Sequence, residues 1–281
     1  MQGSYGVPRG DGRWELGDGR WELAPEREVG HLTPLTRHFS PSTIMDLVSL
    51  RLAAGGGSVD GSSTAPLVAA GFTLLQRSAT LVRALAGRRA AILLPPSAQF
   101  VVALAASDGR GALLVDPTAA AEEIAFELRD AGVGAVFTVA SLSARLPAGT
   151  VHVLLDHAPS SATVVDSVGA SMRVDLGSHF GLSLEGESDV PGRDEECLVV
   201  YEADAAGGKR PVRITHRELL AHPHAHLHAH LHAHLHAHLR AHLLPQSRPI
   251  PMIDDLIGPL LSGARVTTTL PFHAAPAGKR A

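Results

Sequence analysis

Between residues 66 and 157 short apolar runs alternate with segments patterned as helices, and this alternation restricts the possible fold more than any other feature of the chain. "PLVAAGFTLLQRSATLVRALAG" (66–87) carries apolar residues at helical spacing and stops at Gly87. "RRAAILLPP" is short, apolar and closed by prolines, which predicts a buried strand. "SAQFVVALAASDGRG" predicts a helix with Ser97 as its cap, and "GALLVDP" a second buried strand. "TAAAEEIAFELRDAG" predicts a helix opened by Thr118 and closed by Gly132, with acids in its first turn where the helix dipole favours them. "GAVFTV" and "VHVLLDH" (151–157) read as further strands. Continuous apolar strands separated by helices predict an α/β fold, a parallel β-sheet with flanking helices on both faces. Such sheets bind ligands beyond the carboxyl ends of their strands.

The core of that sheet must be aliphatic, because 45% of the residues are hydrophobic but only 4% are aromatic. The formal net charge of −4 leaves no basic footprint, so neither nucleic acid nor an anionic membrane is an expected partner. No apolar run approaches the roughly 18 residues of a membrane span. "MQGSYGVPRGDGRWEL" lacks the apolar core of a secretory signal, and the single cysteine, Cys197, fits a reducing compartment and a place in the core. A cytoplasmic location is expected. No "GxSxG" elbow occurs, so serine hydrolase chemistry has no support. Asp116, before Pro117, reads as a cap for the helix from Thr118.

Four regions are expected. Residues 1–42 read as a flexible arm containing a duplicated heptamer, "GDGRWEL" at 10–16 and again at 17–23. Residues 43–220 form the α/β subdomain, with a short helix in "STIMDLVSLRLAAGG" (42–56), a flexible connector in "GGGSVDGSS" (55–63) and one strand at "SMRVDL". Residues 221–244 are rich in histidine, and 245–281 form a further piece.

The stretch "YEADAAGGKRPVRITH" (201–216) follows an apolar strand, "CLVVY", and leads into "ITHRELLAH", a helix. Strand, glycine-containing loop, basic pair and helix is the order of a phosphate-binding loop, in which glycines let backbone N–H groups approach phosphate oxygens. Thr215 also reads as the cap of the helix.

From "SATLVRALAGRR" through "AAILLPPSAQFVVALAASDGRGALLVDPTAAAEEIAFELRDAGVGAVFTV" the chain resembles, without gaps, the first subdomain of the adenylate-forming enzymes, the acyl-CoA synthetases and nonribosomal adenylation domains. "DDLIGPLLSGARVTTTLPF" (254–272) resembles a later helix–strand step of the same family, which casts 245–281 as an incomplete second subdomain. The resemblance implies ATP and Mg2+ as cofactors, a small-molecule acyl substrate and a thiol acceptor. The 201–216 loop falls on the family's phosphate signature, and the matched positions give Gly207, Gly208, Lys209, Arg210 and Thr215 as cofactor-binding candidates.

The same loop departs from the signature. Glu202 and Ala203 stand where hydroxyl residues are expected, Asp204 replaces a glycine, Ala205 and Ala206 replace hydroxyl residues, and Pro211 replaces another glycine. Donors to phosphate are lost, and each like-charge pair at 4 Å costs about 4 kcal/mol at an effective dielectric near 20. No Thr-Glu pair occurs to supply the family's adenine-side motif, and Lys279, in the tail, is no substitute for the lysine of its C-terminal domain. The expectation is a truncated, degenerate relative, catalytically impaired alone and with no catalytic residue to assign, or one part of a split enzyme completed by a C-terminal chain.

Most of the 17 histidines fall in "HPHAHLHAHLHAHLHAHLRAHL" (222–243). On a helix His224, His228, His232 and His236 lie one turn apart and could chelate Zn2+ or Ni2+. A non-catalytic metal-binding module is therefore the alternative function, and a tandem expansion without a role stands beside it.

Overall fold

The computed structural model describes residues 14–17, 20–23, 47–107, 111–177, 194–203, 208–221 and 253–268. It divides into two units, Met1–Ser40 and Pro41–Ala281. In the first, β1 (Trp14–Gly17) pairs antiparallel with β2 (Arg20–Leu23), Gly17 opposite Arg20. The two copies of the heptamer thus pair with each other. The residues between the two strands in sequence are Asp18 and Gly19 of the second copy, a dipeptide that strongly favours a tight hairpin.

The second unit begins with α1 (Leu47–Ala54) and a small hairpin, β3 (Ser58–Val59) and β4 (Ser62–Ser63). Here the structure corrects the expectation of a flexible connector. Asp60 and Gly61 both adopt positive φ, +48° and +81°, the requirement of a type I′ hairpin. The long helix expected over 66–87 is two, α2 (Thr64–Arg77) and α3 (Ala79–Leu85). Ser78 breaks it: its backbone is extended and its hydroxyl accepts the Leu81 N–H at 3.2 Å, capping the second helix. Gly87, at φ +70°, follows α3.

The chain then alternates β5 (Arg89–Ile92), α4 (Ala98–Ala106), β6 (Ala112–Leu114), α5 (Ala121–Asp130), β7 (Val133–Thr138), α6 (Ala140–Ser143) and β8 (His152–Leu154). After these come β9 (Ser161–Val165), β10 (Ser171–Asp175), β11 (Glu196–Ala203), β12 (Lys209–Thr215) and helical residues 216–221, α7. A π-helical turn, Ile253–Ile257, runs into α8 (Gly258–Leu261), and β13 (Arg265–Val266) ends the described chain.

Eight strands form one sheet in the order β10-β9-β8-β7-β5-β6-β11-β12. The five from β8 to β11 are parallel, as the sequence pattern requires. Both margins are antiparallel: β9 and β10 on one side, β12 on the other. Strand β9 was not legible in the irregular stretch after 157. The connection from β5 to β6 moves one way along the sheet and that from β6 to β7 moves back across β5, so α4 and α5 cover opposite faces.

Burial follows this division. Ala90, Ile92 and Leu94 pack with α1, α2 and α4, whereas Ala91 and Leu93 pack with Ile124 and Leu128 of α5 and Leu142 of α6. The segment 253–268 belongs to the first of these cores. Ile253, Leu256, Ile257, Leu260 and Leu261 are buried there, β13 pairs with β3, and Arg51 Nε donates to Leu261 O at 3.1 Å.

Candidate phosphate-loop site

The carboxyl ends of the parallel strands are where a ligand of this fold would meet the chain. Acids stand at several of them, and local structure uses each. Asp116, after β6, accepts from the Thr118 N–H and hydroxyl, both at 2.7 Å. The helix itself starts at Ala121, three residues later than expected, and its Ala120 N–H is met by Glu123 at 3.3 Å. Asp156, after β8, accepts the Ala140 N–H at 3.1 and 3.2 Å at the start of α6. Ser97 occupies the cap position of α4, but its hydroxyl donates to Pro95 O at 3.0 Å instead of capping the helix.

The loop begins at the carboxyl end of β11. Its downstream side is a strand, where the sequence pattern suggested loop followed directly by helix. In β12, Tyr201 lies opposite Pro211, Glu202 opposite Arg210 and Ala203 opposite Lys209. Pro211 is tolerated because β12 is an edge strand. Cys197, in β11, is buried in the core as expected.

Three of the sequence-predicted site side chains are described, and each is directed at a carboxylate. Lys209 reaches across to α5, where its ammonium is bound by both Glu123 and Glu127. Arg210 faces its cross-strand neighbour Glu202 at 3.7 Å, an exposed and therefore weak pair. Thr215 and Glu218 cap α7 reciprocally. The Glu218 carboxylate accepts the Thr215 N–H at 2.8 Å and its hydroxyl at 2.9 Å, and the Glu218 N–H donates to the threonine oxygen at 3.2 Å. Gly208 is exposed, whereas Gly207 lies outside the described residues. So do His224, His228, His232 and His236. Among the described residues no group of three or more His, Cys, Asp or Glu side chains is placed to hold a metal ion.

The partners in these contacts are what sequence reasoning missed. Glu123 and Glu127 stand one helical turn apart, and Glu127 is nearly buried, with its side chain 4% exposed. An acid beside the apolar stripe of Ile124 and Leu128 needs a cation, and that is the signal that could have found Lys209. "THRE", a capping-box pattern, pointed to Glu218. A second tie joins β11 to the same helix: Tyr201 donates its hydroxyl to Asp130 at 2.5 Å, and its ring packs edge-to-face with Phe126 at 6.1 Å between centroids.

Charge in the cluster is uneven. The hydrogen bond from Lys209 holds the Glu123 carboxyl below the usual range, whereas burial pushes Glu127 up despite the same lysine. Burial works against the Lys209 ammonium, but its bonds to Glu123 and Glu127 outweigh that and raise its pKa. Burial, then the Asp130 bond, raises the Tyr201 phenol. The backbone N–H of Thr215 lowers Glu218. Two carboxylates against one ammonium leave a local excess of negative charge, with Asp116 and Asp130 nearby. Among the described residues the side-chain donors of the loop, Lys209, Arg210 and Thr215, already serve carboxylates, an arrangement that does not fit a nucleoside triphosphate with Mg2+ at those three side chains.

No family model matches the sequence. Over 139 residues the chain is 30% identical to a 4-coumarate–CoA ligase-like protein of Oryza sativa subsp. japonica, covering 46% of this chain and 24% of that protein. The fold matches a nonribosomal peptide synthetase, FmoA3, with a TM-score of 0.50 at 18% identity over 83% of this chain. Its form with α-methyl-L-serine-AMP bound gives 0.52 at 21% identity over 82%. This chain spans 24% of the length of that synthetase, as of the rice relative. A mostly parallel eight-stranded sheet between helical layers is thus the architecture of part of the N-terminal domain of an adenylate-forming enzyme. The chain is thus similar in fold over most of its length to a nonribosomal peptide synthetase, and in sequence over about half of it to a 4-coumarate–CoA ligase-like protein. No helix among the described residues is long and apolar enough to cross a membrane.

Proposed function

We propose that this chain is an acid–thiol ligase type of scaffold whose phosphate loop no longer supports adenylation by the chain itself. One observation carries the reading: Lys209, Arg210 and Thr215 are each directed at a carboxylate of the same chain, Glu123 with Glu127, Glu202, and Glu218. Carboxylates thus take the side-chain donors that phosphate oxygens would need. Sequence supports the same view, since Glu202 and Asp204 add negative charge to the loop and Pro211 removes an N–H.

In that role the chain would contribute its sheet and helices to an assembly whose phosphate-binding donors lie elsewhere. The acyl substrate would be bound there and not by this chain alone. The test is calorimetry of ATP·Mg2+ on the metal-stripped chain, with pyrophosphate exchange across a panel of carboxylic acids. No heat at millimolar ATP and no exchange are expected. Micromolar binding that disappears in the Lys209→Ala/Arg210→Ala variant would overturn the reading.

A second reading rests on the four-residue spacing of His224, His228, His232 and His236, which suits chelation of Zn2+ or Ni2+ if those residues are helical. Nanomolar Zn2+ binding at a defined stoichiometry would support it. Weak binding of variable stoichiometry would reduce the tract to a tandem expansion.

A further inference from the structure

Lys209 and its two carboxylates are far apart in sequence, on β12 and α5, and nothing in the strand pairing obliges them to meet. The ladder between β11 and β12 is satisfied without the lysine side chain. Lys209 nevertheless bends off the sheet edge onto α5, with 27% of its side chain left exposed, and meets Glu127 at a nearly buried position. Asp116 and Asp130 add negative potential to the cluster, and Arg89, paired with Glu196 at 2.7 Å, offsets part of it at Tyr201. The tyrosine tie to Asp130 and Phe126 holds β11 against the same helix, so the carboxylates are presented to Lys209 by a fixed surface. An ammonium has three donors, and two are used here.

We propose that Glu123 and Glu127 act as an internal anion that competes for Lys209, an autoinhibitory contact that withholds the loop's cation from polyphosphate. The proposal rests on the functional reading above and adds its cause: the loop is silenced by a contact from outside it, and the contact can be removed. Polyphosphate arriving at Lys209 would have to displace two carboxylates that are already in place, one of them unable to reach water while it stays buried. Removing those carboxylates changes nothing in the loop itself.

The experiment uses the full chain and inorganic tripolyphosphate, titrated calorimetrically into wild type and into the Glu123→Gln/Glu127→Gln variant. Binding at least tenfold tighter in the variant, and lost again when Lys209→Ala is added, is the expected result. A folded double variant that binds no better than wild type would overturn the proposal. Because the double variant removes a buried contact, a milder one keeps the question open to test. Glu123→Gln alone should raise the rate at which Lys209 is acetylated by an N-hydroxysuccinimide ester several-fold, read by peptide mass spectrometry. An unchanged rate in a folded Glu123→Gln chain would also count against the latch. Tight ATP·Mg2+ binding by wild type would sink the functional reading, while the ratio between wild type and variant would still decide whether the carboxylates compete.

Discussion

The two faces of the central sheet are built on different physics. On one, α2 and α4 pack against β5, β6 and β7 through Leu67, Phe72, Phe100, Ile92 and Phe137, all essentially buried. On the other, α5 carries an apolar stripe of only a few residues, and ion pairs and a tyrosine hydroxyl tie its outer side to β11 and β12. The first face depends on shape, which neither pH nor salt alters. The second depends on charge, which both alter. The candidate site lies on the second, so the part of the molecule most open to functional change is also the part held by its most condition-dependent contacts.

The sharpest way to break this contrast is at the close approach of α2 and α4. A Cβ on Gly71 would lie 2.5 Å from the Val102 carbonyl oxygen, 2.7 Å from the Ala105 Cβ and 2.9 Å from the Ala106 nitrogen. Two of those neighbours are backbone and cannot turn aside, so the helices must separate. Gly71→Ala is expected to cost about 3 kcal/mol. Urea unfolding should show a lower midpoint with the loss unchanged between pH 5 and pH 9. A loss that varied with pH would mean that the two faces are not independent.

The same division explains what the sequence disclosed. Apolar face-one elements are written in residue type and period, so "AAILLPP", "GALLVDP" and the helices between them were readable, as was the parallel core of the sheet. Three kinds of element were not. The paired strands β1–β2 and β3–β4 sit in glycine-rich surroundings that resemble linkers, although the Asp-Gly dipeptide in the sequence between each pair was a signal. The break at Ser78 needs a side-chain cap that periodicity does not register. Strand β12 hides in "KRPVRIT", where charges and a proline mask a strand that is solvent-facing at the sheet edge. Of the site, the basic pair and Thr215 were legible because they are local. The carboxylate partners of Lys209 on α5 were not, because its pairing with Glu127 spans 82 residues and is decided by sheet order.

Lys209→Met should sharpen the contrast from the other side. It keeps the stem of the side chain and removes the charge, leaving Glu127 buried without that cation. A loss of roughly 2 kcal/mol at pH 7 to 8 is expected, below the roughly 3–5 kcal/mol of a fully buried pair because Lys209 is partly exposed. The pH course follows from the shifts. The carboxyl of Glu123 is depressed, so its contribution is present above its ordinary value near 4.5 and is lost as pH falls through the depressed one. Lys209 is raised, so its contribution holds below about 10.5 and is lost as pH rises through the raised value. Glu127 is raised by burial and takes up a proton above the ordinary range, which relieves its cost as pH falls. The deficit of the variant should therefore be widest in the neutral to mildly alkaline range and narrow toward pH 5. Unfolding curves of wild type and variant that stay parallel from pH 8 to pH 5 would remove the charged face from the comparison.

The smallest effect is expected at the end of the charged face, where α7 begins. Thr215→Ala removes two of the three bonds of the reciprocal cap, at 2.9 and 3.2 Å, and keeps the backbone N–H donation to Glu218 at 2.8 Å. A loss of about 1 kcal/mol is typical of such caps. It should be local, because the cap stabilises a first turn and not the sheet. Amide exchange should quicken at 216–221 and remain slow in α4 and β5, and the Glu218 carboxyl, still depressed by the retained N–H, should rise only part of the way to its ordinary value. Faster exchange spreading into β11 would show that the cap, the hairpin and the Lys209 contact open as one unit, and the charged face would then be a single cooperative element and not a set of separate ties.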